Sequence, residues 1–174
     1  AQAAGLKNLT YVISVSESHN KANINRTHDQ SFEELRRIRE SFPELQLCLG
    51  MATTFGCPFE GIPDLDKVLR FVERIRSCDV DTVYLADTIG IADPAQVRRT
   101  VKGIMERFPD TKMQVHIHDT RGMGLVNTLA AIEAGVDTVQ STLGGLGGCP
   151  FAPGASGNTA TEDLVYMLQR MGYD

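Results

Sequence analysis

The sequence predicts an α/β fold: five consecutive strand–helix units of a partial (β/α)8 TIM barrel, read as one domain over residues 1–174. Three observations carry that expectation. Apolar runs alternate with amphipathic stretches, the runs starting about 24–36 residues apart, which favours a parallel sheet. Polar residues gather where those runs end: Ser14, Ser16 and Glu17; Thr53 and Thr54; Asp87 and Thr88; His116, His118 and Asp119; Ser141 and Thr142. A barrel places its chemistry on that ring. Finally, the Gly-rich segment GGLGGCPFAPGASGN (144–158) is too long, and carries too much proline, for the tight strand-to-helix turn of a doubly wound nucleotide-binding sheet. Complete barrels run to about 250 residues, so five units make an incomplete one.

The elements follow in chain order. AQAAGLKNLTYVI reads as a helix tail passing through Gly5 into a strand, LTYVISV (9–15). NKANIN, with Asn23 and Asn25, falls in the loop after it, and Ser31 with Glu34 reads as a capping box that opens a helix. On that helix Arg36, Arg37 and Arg39 make a solvated face. LQLCLGMA (45–52) is the second strand, and Leu65, Val68, Leu69, Val72 and Ile75 then keep helical spacing. DTVYLAD (81–87) is the third strand. Asp93 and Pro94 are an N-cap and first helical residue ahead of Val97, Val101, Ile104, Met105 and Phe108. MQVHIH (113–118) is the fourth strand, followed by a helix from near Gly122 that Gly135 closes. DTVQSTL (137–143) is the fifth, and Thr159 with Glu162 is a second capping box.

Composition narrows the function classes. The chain is 42% hydrophobic and 22% charged, with a formal net charge of −5 and no basic run, which argues against a nucleic-acid binder. Cys48, Cys57, Cys78 and Cys149 are dispersed and form no C-x-x-C pair, so reduced thiols are expected rather than disulfides or structural zinc. Neither a membrane-spanning run nor a secretory leader is recognisable.

The most informative stretch is VHIHDT (115–120). Side chains alternate along a strand, so His116 and His118 share a face where Val or Ile would be ordinary. Burying two imidazoles without partners costs about 1–3 kcal/mol each. Hydrogen bonding, catalysis or a metal ion would offset that cost, and the strand alone leaves the three open.

The segment VHIHDTRGMGLVNTLAAIEAGVDTV, followed by GGLGGCPFAPGASGNTATEDLVYML, resembles the superfamily of metal-dependent lyases and Claisen-condensing barrels, and within it the 3-hydroxy-3-methylglutaryl-CoA lyases. ESHNKANINRT, FGCPFEG and LADTIG match in the same order, so the resemblance covers essentially the whole chain. H-x-H-D is shared with condensing synthases, whereas GGLGGCP, with GASGN ending nine residues after the Cys, is specific to the lyases. In that family three further strand–helix units come first and carry an Arg-Asp pair that meets substrate and metal. No residues here match that pair, so the chain resembles strands four to eight.

The resemblance implies a carbon–carbon lyase that cleaves 3-hydroxy-3-methylglutaryl-CoA to acetyl-CoA and acetoacetate. It implies metal ligation by His116, His118 and Asn158, a mixed N/O set that suits Mg²⁺ or Mn²⁺ better than closed tetrahedral zinc. Cys149 is then the catalytic thiol in a mobile Gly-rich loop, and His116 a proton shuttle beside the metal. Asp87 helps to position substrate, with capping of the turn DTIG as its alternative. Glu162, four residues past Asn158, either supports the ligand or completes the cap. Asp119 bonds backbone or histidine, and Asn23 lies on the substrate side. The expected partner is a small acyl-CoA, with no nucleic acid or membrane, in a homodimeric full-length enzyme of the bacterial cytoplasm or mitochondrial matrix. A condensing synthase and an inactive barrel fragment serving as an interaction module are the competing readings.

Overall fold

The computed structural model describes residues 5–173. The helix tail expected before Gly5 therefore lies outside the described residues. Five strands form one sheet: β1 (Asn8–Ser14), β2 (Gln46–Ala52), β3 (Thr82–Asp87), β4 (Met113–Ile117) and β5 (Thr138–Gln140). All neighbours pair in parallel, in the order β1-β2-β3-β4-β5. A doubly wound sheet reverses its strand order at a switch point. This one never does, which is the wall of a barrel.

Register divides the side chains between two faces. Leu9, Leu47 and Tyr11, Leu49, Val83, Met113 and Ile13, Met51, Leu85, Val115 form rows on one face. They pack into the apolar core against Val68, Val72 and Ile75 of α3 (Leu65–Arg76), Val97, Val101 and Ile104 of α4 (Pro94–Arg107), and Ala130 and Ala131 of α5 (Gly124–Glu133). The other face carries Thr10, Val12, Cys48, Thr82, Tyr84, Gln114, His116, Thr138 and Gln140, all half-buried or exposed, and of the strand residues there only the small Ser14, Gly50, Ala52 and Ala86 are buried. Parallel strands with both faces covered are near-continuously apolar. The polar second face is instead that of a barrel lumen.

Local chemistry places some boundaries away from the sequence reading. Glu17–Ile24 is a helix, α1, where a loop was expected; Ser16 caps it by accepting from the His19 N–H, and Asn25 ends it in the left-handed region at φ +53°. Asn23 consequently sits exposed on its last turn. The next helix, α2 (His28–Ser41), opens on a capping box formed by Thr27 and Gln30, not Ser31 and Glu34. Ser31 is buried inside α2 and donates back to the Thr27 carbonyl, while Glu34 accepts from the Tyr11 hydroxyl and pairs with Arg26. Arg39 is also no surface residue: it donates to the Pro43 and Leu45 carbonyls and to Asp81, which fastens the entrance of β2 to that of β3. The Asp93 cap and the Gly135 terminator stand as expected, Gly135 at φ +115°. β5 is shorter than read, because the chain turns into a 3-10 turn at Leu143–Gly145.

Candidate metal and catalytic site

At the C-terminal end of the sheet β4 delivers His116 and His118 to the lumen face. Two glutamines fix the first ring. Gln140 donates through Nε2 to Gln114 Oε1 at 2.9 Å, and its own Oε1 lies 3.1 Å from His116 Nδ1. An amide oxygen only accepts, so the proton sits on Nδ1 and the Nε2 lone pair is free. That Nε2 lies 3.1 Å from His118 Nε2. Burial pushes both imidazoles below their ordinary pKa; the Gln140 bond opposes this at His116, while at His118 the neighbouring ring adds to it and the Thr88 backbone opposes it. Neutral rings are what metal ligation requires.

The third donor arrives from the Gly-rich loop. His118 and Asn158 form an isolated antiparallel bridge, with the Asp119 N–H donating to the Gly157 carbonyl at 2.9 Å and the Thr159 N–H to the Ile117 carbonyl at 3.2 Å. These bonds flank the pair rather than join it, the arrangement that brings opposing side chains closest, on one face. Asn158 Nδ2 donates to the Leu146 carbonyl at 2.9 Å, while its Oδ1 is buried without a partner, as is His118 Nδ1. Buried polar atoms left unpaired are rare and call for an explanation. Two cis ligands of an octahedral ion bound at about 2.1 Å stand about 3 Å apart, close to the observed separation of the imidazole nitrogens. With an orphaned carboxamide oxygen on the adjoining residue, the set fits a hard divalent cation. Among the described residues no group of three or more His, Cys, Asp or Glu side chains forms a ready metal cage, so the carboxamide is essential to the fit.

Glycine shapes the base of this loop by permitting close approach as well as mobility. A Cβ on Gly157 would run into the Gly145 and Gly147 carbonyl oxygens, and its φ of +116° already excludes most side chains. Around the thiol the chain is looser: Gly148 and Gly154 face open space, and Cys149 is half-buried between them.

The remaining expected site residues separate on inspection. Asp87 ends β3 at the same end of the sheet as the histidines but on the opposite face, its register partner being Ile117. It is completely buried, and its two carboxylate oxygens accept from the Ile91 and Ala92 amides at 3.0 Å each. Asp87 thereby holds the turn after β3, the alternative raised from sequence. Asp119 likewise accepts from the Gly124 amide at 2.5 Å, at the start of α5, and bonds backbone rather than histidine. Glu162, on α6 (Thr161–Arg170), accepts from the Gly144 amide and clamps the beginning of the Gly-rich loop. Thr159, its expected capping partner, donates to the Ile117 carbonyl instead, and Ala160 is the residue that caps α6, without a side-chain bond. Asn23, exposed on α1, has no bond to the cluster. Sequence reasoning missed Gln140, Gln114 and Tyr84, whose ring lies 5.9 Å from that of His116. Their signal was alternation: each shares the polar phase of its strand with the histidines.

The Asp87 geometry carries a stability prediction. Burial raises its carboxyl above the ordinary carboxylate range, against the Ala92, Ile91 and Gly90 amides and Arg121. A raised folded-state pKa means that the stability it contributes is complete below the ordinary range and is lost as pH rises through the raised value. Asp87→Ala orphans two amides and should cost about 2 kcal/mol or more. Thermal melts from about pH 4 to about pH 8 should show the parent losing stability with rising pH by a component absent from the variant; parallel profiles would refute the assignment.

Comparison with known proteins places the whole pattern. Residues 1–174 match the HMGL-like family model. A hydroxymethylglutaryl-CoA lyase of Bacillus subtilis, YngG, is 39% identical over 173 residues, covering 98% of this chain and 58% of that protein. An (R)-citramalyl-CoA lyase of Chloroflexus aurantiacus is 38% identical over 174 residues, covering 99% of this chain and 55% of that protein. The solved structure of an HMG-CoA lyase from Acinetobacter baumannii, in complex with coenzyme A and 3-methylmalate, superposes with a TM-score of 0.92 at 44% identity, over 99% of this chain and 57% of that one. The chain thus spans little more than half the length of these relatives.

Proposed function

The chain belongs to the HMGL-like family, and from that premise we propose that it supplies the metal-binding and thiol-bearing side of a lyase that cleaves 3-hydroxy-3-methylglutaryl-CoA. The observation that carries the reading is the convergence of the His116 and His118 Nε2 atoms, 3.1 Å apart, beside the unpartnered carboxamide oxygen of Asn158. A Mg²⁺ or Mn²⁺ ion held by those three residues would supply Lewis acidity toward the hydroxyl and carboxylate oxygens of the substrate.

The reaction is a retro-Claisen cleavage. Loss of the tertiary hydroxyl proton leaves an alkoxide that collapses to the ketone of acetoacetate, and the C–C bonding pair leaves as the enolate of acetyl-CoA. Cys149 donates its thiol proton to that enolate carbon, completing the methyl group of the acetyl product. The two roles expected of His116 compete, because Nδ1 is committed to Gln140. Its Nε2 holds the ion or takes the proton, not both at once; we assign it to the ion and leave the hydroxyl proton to another base. Gln140 and Gln114 aim the ring, and Asn158 ties the loop that bears Cys149 to the metal side of the pocket.

The citramalyl-CoA lyase, nearly as similar as the hydroxymethylglutaryl-CoA lyase, favours a second reading of the acyl group alone. A citramalyl thioester differs in its alcohol carbon substituents and would release pyruvate with acetyl-CoA. The decisive assay gives full-length protein and Mn²⁺ each thioester in turn. Acetoacetate from the first substrate is expected; pyruvate from the second with none from the first would transfer the assignment, and no acetyl-CoA from either would end it. A homodimer in the bacterial cytoplasm or the mitochondrial matrix completes the proposal. Among the described residues no helix is long and apolar enough to cross a membrane.

A further inference from the structure

His19 has no part in the chemistry above, yet it is among the most completely enclosed polar side chains, 1% exposed at the start of α1. Its Nδ1 lies 2.7 Å from the Ser14 hydroxyl at the end of β1, and its Nε2 is buried with no hydrogen-bond partner. Burying a ring nitrogen unpaired is unfavourable, so core filling alone is a poor account of an imidazole here. The ring it meets most closely is Phe151, at 4.4 Å between centroids. Phe59, from the segment after β2, stands 5.9 Å from Phe151 in an edge-to-face arrangement and 6.1 Å from His19. Phe151 lies two residues beyond Cys149.

The topology gives this cluster its meaning. Cys149 and Phe151 belong to the connection that leaves β5, whereas His19 follows β1 and Phe59 follows β2. β1 and β5 are opposite ends of the five-strand order. To reach His19, the loop has to pass across the C-terminal ends of the strands between, over the face that carries His116 and His118. Its base is tied at Asn158, Gly157 and Ser156, and the aromatic contacts hold its far side.

We propose that His19 and Phe59 form a seat for Phe151 that holds the Cys149 loop down across the mouth of the barrel, which makes His19 a positioning residue for the thiol. This rests on the reading of Cys149 as the proton donor. The Ser14 bond locks the His19 ring plane, and burial holds the imidazole below its ordinary pKa. Two aromatic contacts of ordinary strength correspond to a change of between about 5-fold and about 150-fold in the population of the raised loop.

The test is the rate at which iodoacetamide alkylates Cys149 in full-length protein, followed by peptide mass spectrometry, with buried Cys78 as an internal control. Phe151→Ala, in a loop, leaves the core intact and should accelerate labelling of Cys149 by about 5- to about 150-fold. His19→Ala, which leaves the Phe59 contact, should accelerate it by about 2- to about 13-fold, and His19→Phe, which restores a ring, should return the rate toward that of the parent. Turnover should fall through kcat while Mn²⁺ affinity holds. Unchanged labelling in Phe151→Ala, or an equal acceleration at Cys78, overturns the seat. The lyase reading fails separately: a parent that cleaves no acyl-CoA while Phe151→Ala unmasks Cys149 removes that reading and leaves the seat standing.

Discussion

His118→Ala in the full-length protein is expected to weaken Mn²⁺ binding by about 100-fold or more, the upper end of what losing even an indirect support for a ligand costs. Free Mn²⁺ measured by electron paramagnetic resonance reads this without any assay of turnover. The metal-free fold should tolerate the change, because the side-chain contact that the ring makes is to another imidazole nitrogen, 3.1 Å away. Stabilisation by the ion supplies a second readout: at about 100 times Kd a ligand adds about 2.7 kcal/mol, a shift that the parent should show and His118→Ala should not. Gln140→Leu, which removes the acceptor that fixes the His116 tautomer, should cost about 10-fold. Asn158→Ala is the less selective variant, since it also releases the Leu146 carbonyl and unties the loop. Parent-like Mn²⁺ affinity in His118→Ala would remove the metal assignment, and with it the explanation of the orphaned Asn158 carboxamide oxygen.

The barrel wall was legible because its cause is periodic. Leu47, Leu49 and Met51 alternate against Cys48 and Gly50, and every strand repeats the phase, so both faces follow from the sequence once the strands are recognised. The failures were local and electrostatic. α1 has almost no apolar periodicity; Ser16 at its start and Asn25 at its end define it, and isolated caps are weak signals. At α2 two candidate boxes lie four residues apart, Thr27 with Gln30 and Ser31 with Glu34. The tertiary bonds of Ser31 to Asn20 and of Glu34 to Tyr11, invisible in sequence, decide between them.

The site divides in the same way. That His116, His118 and Asn158 come together was readable from spacing on one strand and from a loop of recognisable sequence. Asp87 shares its phase with Val83 and Leu85, both core residues, so its place on the helix side of β3 was legible, while the amides that bond it were not. Arg39 was misread for a related reason: a helix face of arginines looks solvated until Asp81, 42 residues on, closes over one of them.

Cys149→Ala is the second large effect expected, and it separates a proton donor from a packing residue. Loss of a positioned general acid lowers turnover by about 10² to 10⁴-fold. For a thiol that acts on the enolate and not on the bound substrate, KM and Mn²⁺ affinity should stay close to those of the parent, the signature of an interaction made only during chemistry. Packing gives the opposite expectation: a half-buried thiol that follows a glycine facing open space loses little when trimmed to a methyl group. Cys149→Ser should fall between parent and alanine, since a hydroxyl is a far weaker acid than a thiol. Alkylation should abolish turnover, and bound acyl-CoA should slow the alkylation by occupying the space beneath the loop. The reading is therefore exposed at two points. If Cys149→Ala turns over like the parent, the residue is packing and the proton donor to the enolate is another group. If kcat falls but Mn²⁺ affinity falls with it, the thiol acts through the His116, His118 and Asn158 cluster rather than on the enolate, and the proton must come from elsewhere.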